Sequence, residues 1–201
     1  MRGRGILFRS SIEEWGFFMS VTFEIEYTTP RSRVTTFFRY ILAIPHLVCV
    51  GVLGWVANLL GFVQWLIILF TGKRNRGIWD FQRGVWDWSV RTLSYLSLMY
   101  DAYPNFGFVR RDEPVTTDIV FVEQANRLTC ALRMIWVIPA AIITMVVGIA
   151  GYVLMVLSWF AILFTGSHPR GMFDFMLRSQ RMWAHTSAYA QLLTDDYPRF
   201  T

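Results

Sequence analysis

One unit of sequence is used twice in this chain, and that repetition constrains the fold more than any other feature. Leu69-Phe70-Thr71-Gly72, Arg76-Gly77 and Asp80-Phe81 return as Leu163-Phe164-Thr165-Gly166, Arg170-Gly171 and Asp174-Phe175, always 94 residues on and without a gap. The same offset relates Arg39 to Arg133, Pro45 to Pro139, Gly54 to Gly148 and Trp65 to Trp159. It also relates Asp101, Tyr103, Pro104 and Phe106 to Asp195, Tyr197, Pro198 and Phe200. Self-similarity at a fixed period means one supersecondary unit built twice. The units are residues 21–108 and 115–201, with a polar joint at 109–114. Residues 1–20 carry Arg2 and Arg4 but no apolar core of signal-peptide length. They are expected to form a poorly ordered extension, with Met19 a candidate start.

Two stretches, Tyr40 to Phe70 and Met134 to Phe164, contain no Asp, Glu, Lys or Arg. An apolar run longer than about 18 residues reads as membrane-embedded. The chain is 54% hydrophobic and only 16% charged, against roughly 25% charged in a soluble domain. The expected fold is therefore a mainly α integral membrane protein of two tandem repeats, each a short strand, a long apolar helix and an amphipathic helix. The net charge of +5 comes from basic residues that flank the apolar runs, which points to anionic lipid headgroups and away from nucleic acid. Cys49 and Cys130 occupy non-equivalent positions and read as small apolar side chains, not a disulfide or metal pair.

Val21, Phe23, Ile25 and Tyr27 alternate with Thr22, Glu24 and Glu26, and Val115, Thr117, Ile119 and Phe121 repeat most of the pattern. This predicts two strands, paired antiparallel, whose apolar face rests on a membrane surface. Arg31, Arg33, Arg39, Arg127 and Arg133 stand at the edges of the apolar runs. Their stems are expected in hydrocarbon and their heads among phosphates. Pro45 and Pro139 predict a bend or a helix start, and Gly72 and Gly166 a left-handed helix end. Gly51, Gly54, Asn58 and Gly61 form a stripe expected to pack against another helix, with a polar pathway along Asn58 and Gln64 as the other reading. In the following helix Asp80, Arg83, Asp87, Arg91 and Ser94 share one face, matched by Asp174, Arg178, Arg181 and His185.

Two topologies remain open. In one, the long helix crosses the bilayer and the amphipathic helix crosses back. In the other, the long run is a re-entrant hairpin and the amphipathic helix is interfacial. The first is favoured because nothing near Gly54 or Gly148 resembles a turn. Inverted repeats would put the two basic loops that follow Gly72 and Gly166 on opposite sides, against the positive-inside bias. The units are thus expected to be related by a pseudo-two-fold near the membrane normal.

The quoted elements resemble a bacterial membrane family named domain of unknown function 4389. The first copy matches through Arg39, Pro45-His46, Leu69 to Gly72, Arg76-Gly77, Asp80-Phe81 and Tyr103-Pro104-x-Phe106. The second matches through Arg133, Pro139, Leu163 to Gly166, Arg170-Gly171, Asp174-Phe175 and Tyr197-Pro198-x-Phe200, and departs at Ala140. The resemblance implies a small protein of the bacterial cytoplasmic (inner) membrane, multi-pass or re-entrant. It transfers no activity, cofactor or catalytic residue.

No metal-ligand spacing, nucleophile motif or phosphate loop is present among His46, His168, His185 and the serines, so no enzyme and no cofactor are expected. Arg39, Arg76, Asp80, Arg133, Arg170 and Asp174 are the candidate structural, lipid or partner contacts. Asp80 and Asp174 read as carboxylates stabilised by a helix N-terminus and by Arg76 and Arg170, or else as proton or cation sites. The pairs Arg76–Asp80 and Arg170–Asp174 are expected to set the angle between long and amphipathic helices. The functional expectation is a non-enzymatic membrane scaffold or accessory subunit with a membrane-protein partner or a second copy. The alternative is a small oligomeric transporter or channel built from the polar stripes.

Overall fold

The structure is a computed structural model that describes residues 21–109 and 113–198; the N-terminal extension and Phe200 lie outside the described residues. Strand β1 is Val21–Ile25, helix α1 Arg33–Thr71 and helix α2 Arg76–Leu96. The second repeat gives β2 Val115–Ile119, α3 Arg127–Thr165 and α4 Arg170–Ala190. Ser32 caps α1, its hydroxyl accepting from the Thr35 amide, and Asn126 caps α3 through Leu128 and Thr129. Gly72 and Gly166 end these helices at φ 73° and 74°, the left-handed conformation that glycine adopts without strain. Pro45 and Pro139 sit inside the helices and do not start them, because the caps lie upstream. Each long helix runs unbroken past Gly54 or Gly148, so no re-entrant hairpin forms.

The repeats interlock. Arg33 at the start of α1 donates to the Phe164 carbonyl at the end of α3, and Arg127 at the start of α3 lies against Gly72 at the end of α1. Trp65 Nε1 donates to the Cys130 carbonyl, and Trp159 Nε1 to that of Thr36. Each contact is its partner's image with the repeats exchanged, so α1 and α3 are antiparallel about a pseudo-two-fold axis roughly perpendicular to them. The ribbon obeys the same symmetry: β1 pairs antiparallel with β2, Val21 opposite Ile119 and Ile25 opposite Val115.

Three layers stack along this axis. α2 folds back over α1, and α4 over α3, with Gln82 bonding the Ala57 carbonyl and Thr144 bonding Thr186. The ribbon lies on α2 and α4. Its inward residues Val21, Phe23, Ile25, Val115 and Ile119 join Trp79, Trp86, Val90, Phe173 and Ala184 in one core drawn from both repeats. A lone two-stranded ribbon is marginal, and here the amphipathic helices supply the apolar surface that the sequence reading assigned to a membrane.

The packing face of the long helices also differs from expectation. The buried residues of α1 are Thr36, Arg39, Ala43, His46, Ala57, Gln64 and Ile68, a heptad seam. α3 repeats it with Cys130, Arg133, Ala140, Thr144, Gly151, Ser158 and Ile162. A Cβ added at Gly51, Gly54 or Gly148 would meet nothing within 4 Å, so the glycine stripe packs only in part: one added at Gly61 would meet Gln82 at 3.0 Å, and one at Gly151 of the second repeat would meet Ser179 at 3.0 Å. Asn58 is exposed.

Ala43→Leu should overpack the seam and cost about 1–3 kcal/mol. Gly51→Ala should stabilise the helix by up to about 1 kcal/mol. Thermal unfolding in detergent checks both; the reverse order would restore the glycine face as the packing face.

Candidate functional site

Arg39, expected among lipid phosphates, is fully buried. Its Nη1 donates to the carbonyls of Tyr95 at 2.8 Å and Tyr100 at 2.7 Å, and its Nη2 to Asp101 Oδ1 at 2.6 Å. Arg133 repeats each bond, to the carbonyls of Tyr189 and Thr194 and to Asp195. The last carbonyls of a helix lack intrahelical partners, and those ending α2 and α4 turn inward, where Leu98 and Leu192 take φ 63° and 64°. A guanidinium fork satisfies several such acceptors at once. The sequence reading put both arginines in the headgroups because these acceptors lie some 60 residues away in the chain. Asp101 also accepts from the Ser32 amide, and Asp195 from the Asn126 amide. One carboxylate thus ties the start of each long helix to the end of the helix folded over it.

Arg76 and Asp80 do pair, Nε lying 3.1 and 3.0 Å from the two carboxylate oxygens, and Arg170 and Asp174 approach to 3.7 Å. Both pairs are about half exposed or more. The Arg76 guanidinium covers the Phe121 ring at 4.5 Å, and Arg170 covers the equivalent Tyr27 ring at 4.6 Å. What these arginines hold is the segment leaving each strand.

The polar stripe of α2 is not one solvated face. Asp80 and Arg83 are outward, while Asp87, Arg91 and Ser94 are buried. Arg91 meets Asp87 and Glu113 and donates to the Asn105 and Gly107 carbonyls, anchoring the chain before β2. In α4 the equivalent of Asp87 is Arg181, which turns out to Glu24 and the Phe23 carbonyl. His46 is packed, stacked on Phe106 at 4.0 Å with Nδ1 accepting from Trp88 Nε1. His168 is 1% exposed beside Phe173. Burial, reinforced by the charges of Arg31 and Arg39, pushes its pKa down to about 4. Among the described residues no group of three or more His, Cys, Asp and Glu could hold a metal ion.

The molecule has two unlike faces. On the α1–α3 layer large apolar side chains are bare, with Trp55 76%, Met134 72% and Phe164 79% exposed. Both helices are long and apolar enough to cross a membrane. The opposite face carries Glu24, Asp118, Arg83 and Arg181, joined as the ion pairs Arg83–Asp118 and Arg181–Glu24. At the rim between the faces stand Arg33, Lys73, Arg127 and Arg170, all exposed. Asp101 and Asp195 were the functional positions missed; their shared offset with Arg39 and Arg133 was the available signal.

A family model described as domain of unknown function (DUF4389) matches residues 33–107 and again residues 127–201. No curated protein and no solved structure matches the chain.

Removing one partner of a buried pair leaves the others unsatisfied, so Arg39→Ala should cost about 3–5 kcal/mol. Arg39→Lys should recover little, lacking the fork, and Asp80→Ala should cost under about 1 kcal/mol because its pair is exposed. Denaturant unfolding reads all three, and equal losses at Asp80 and Arg39 would refute the ranking.

His168 has a folded pKa of about 4 against an ordinary 6.5, so the unfolded chain binds the extra proton between those values. Its contribution is present above pH 6.5 and lost as pH falls through 4, a change on the order of 3 kcal/mol. His168→Gln should flatten this part of the stability–pH curve; identical curves would place the histidine in water.

Proposed function

We propose that this chain, which belongs to the family described as domain of unknown function (DUF4389) and carries it in two tandem copies, is a non-enzymatic membrane scaffold lying in the plane of one leaflet. The observation that carries this reading is the segregation of its faces: only seven of the 39 residues of each long helix are buried, and the rest of that layer is overwhelmingly apolar. A layer one helix thick, about 10 Å, fits the ~15 Å of hydrocarbon in one leaflet.

Spanning fits less well. Each long helix measures about 58 Å at 1.5 Å per residue, against a ~30 Å hydrocarbon core. A perpendicular span would also draw Arg76, Asp80 and Arg83 of the companion helix, and Glu24 and Asp118 of the ribbon, toward hydrocarbon, at about 2.5–3.5 kcal/mol for each charge at the centre. Because α1 and α3 are antiparallel, a span would put the two basic loops on opposite sides. The in-plane orientation keeps both loops on one side, sets the rim arginines and Lys73 at the level of anionic headgroups, and puts the pseudo-two-fold along the membrane normal. The ribbon and the outer faces of α2 and α4 then face water and form the mixed-charge surface offered to a protein partner or second copy. The bacterial inner membrane is the compartment that the family resemblance implies. A transport pathway finds less support, since Asp87 and Arg91 are tied to Glu113 and the ribbon, and two cavities between α1 and α3 are bordered by a single charged side chain, Arg133.

With Cys49 and Cys130 replaced by alanine, single cysteines at Lys73 and at its equivalent Ser167 are expected to react with a membrane-impermeant reagent from the same side. The chain should resist alkaline extraction. Labelling from opposite sides would establish spanning, and a chain recovered in the soluble fraction as a dimer would show that a second copy covers the apolar face.

A further inference from the structure

We propose that a cavity between α1 and α3 is a binding site for a neutral lipid, a hydrocarbon chain carrying an ester or ketone carbonyl but no charged headgroup. The cavity holds about 480 Å³, within the roughly 300–1,000 Å³ of small-molecule sites. Tyr40 and Leu47 of α1 form one wall and Gly148 and Tyr152 of α3 the other, with Ser179 and Gln180 of α4 at the base. It therefore opens among the bare apolar side chains of the long helices, the direction from which a lipid would enter.

The lining selects the ligand. It is almost entirely apolar and contains no Asp, Glu, Lys or Arg, so a carboxylate or phosphate brought there would be desolvated without a counter-charge. Yet one polar group at the base is unfinished. Gln180 is only 8% exposed. Its Oε1 accepts from Ser94 at 2.9 Å, while its Nε2 is buried with no hydrogen-bond partner. A buried amide donor left open is costly; a turn of the Gln180 side chain toward the cavity it lines would let a carbonyl oxygen on an otherwise hydrocarbon ligand satisfy it. Gln180 belongs to the middle layer and the walls to the long-helix layer. In the proposed membrane orientation this puts the carbonyl nearer the headgroups and the chain nearer the bilayer centre, the order found in an ester lipid. Entry from the bilayer rests on the in-plane reading; the cavity and its amide do not.

Gly148 makes the site testable, because a side chain there would meet nothing within 4 Å and would project into open space. The test is native mass spectrometry of the full chain in mild detergent with dioleoylglycerol, oleic acid or dioleoylphosphatidylglycerol. Dioleoylglycerol is expected to be retained in preference to the other two. Gly148→Phe should weaken retention about tenfold or more, Gln180→Met about fivefold, and Gly54→Phe, the same change at the equivalent glycine, should leave it unaltered. Should Gly148→Phe fail to fold, Gly148→Leu supplies a shorter plug. Equal retention by wild type and folded Gly148 variants, or preference for oleic acid or the phosphatidylglycerol, would overturn the proposal. Alkaline extraction run in parallel separates the two readings. A chain that leaves the membrane yet retains dioleoylglycerol keeps the site and loses the in-plane orientation, whereas a membrane-bound chain that retains none loses the site alone.

Discussion

Two buried guanidinium groups, Arg39 and Arg133, hold the rest of this fold in place. The end of an α-helix exposes carbonyls without partners, and turning such an end inward is costly unless something supplies donors. Arg39 supplies three bonds from one planar group to the end of α2. Asp101, which takes one of them, also accepts from the Ser32 amide at the start of α1. Fixing these points leaves α2 little choice but to run back antiparallel along α1. That decides which face of α1 is covered, and the heptad seam follows from it. Arg133 and Asp195 impose the same closure on the second repeat.

The pseudo-symmetry survives where the sequence breaks it. Asp195 receives a second guanidinium, Arg74, which also donates to the Leu192 and Val122 carbonyls. The repeat counterpart of Arg74 is His168, held neutral by burial. The counterpart of Ala125 is Arg31, which is buried, donates to the Met99 carbonyl and feels the charge of Asp101. Each carboxylate therefore has two cations in reach, although the second comes from different positions in the two repeats. The number of cations around each carboxylate is the property maintained; the position that supplies the second is not.

This explains which parts of the fold were legible in sequence. Ribbon pairing, the glycine-terminated long helices and the Arg76–Asp80 pair are local or periodic, and each was read from residues within a few positions or one repeat apart. The destination of Arg39 was not, because its acceptors are mostly main-chain carbonyls in a distant turn, which no side-chain pattern announces. The polar stripe of α2 misled for a related reason. Helical periodicity put Asp80 and Arg91 on one face, but the chain before β2 brings Glu113 over the inner end of that face and dries it. The glycines misled in part: small residues suggest close approach, which Gly61 and Gly151 make to Gln82 and Ser179, whereas Gly51 and Gly54 border open space.

The seam of the long helices runs contrary to that of a soluble amphipathic helix. Its buried positions include Thr36, Arg39, His46 and Gln64, while Val, Leu, Ile, Phe and Trp side chains face outward. Where hydrocarbon is the outer medium, apolar contact gives no net drive to bring helices together, and hydrogen bonds worth about 0.6–2 kcal/mol must specify the pairing. His46 makes one with Trp88, and the Gln64 side-chain Oε1 accepts from the Asn75 backbone amide. The second repeat has Ala140 in place of His46, which would leave that stretch unpinned. Its seam instead carries Thr144, one turn further along, bonded to Thr186 of the helix above. The bond has moved by one turn while the seam and the partner helix stay the same, as expected if α2 and α4 are held by polar contacts distributed along a fixed face and not by one indispensable pair.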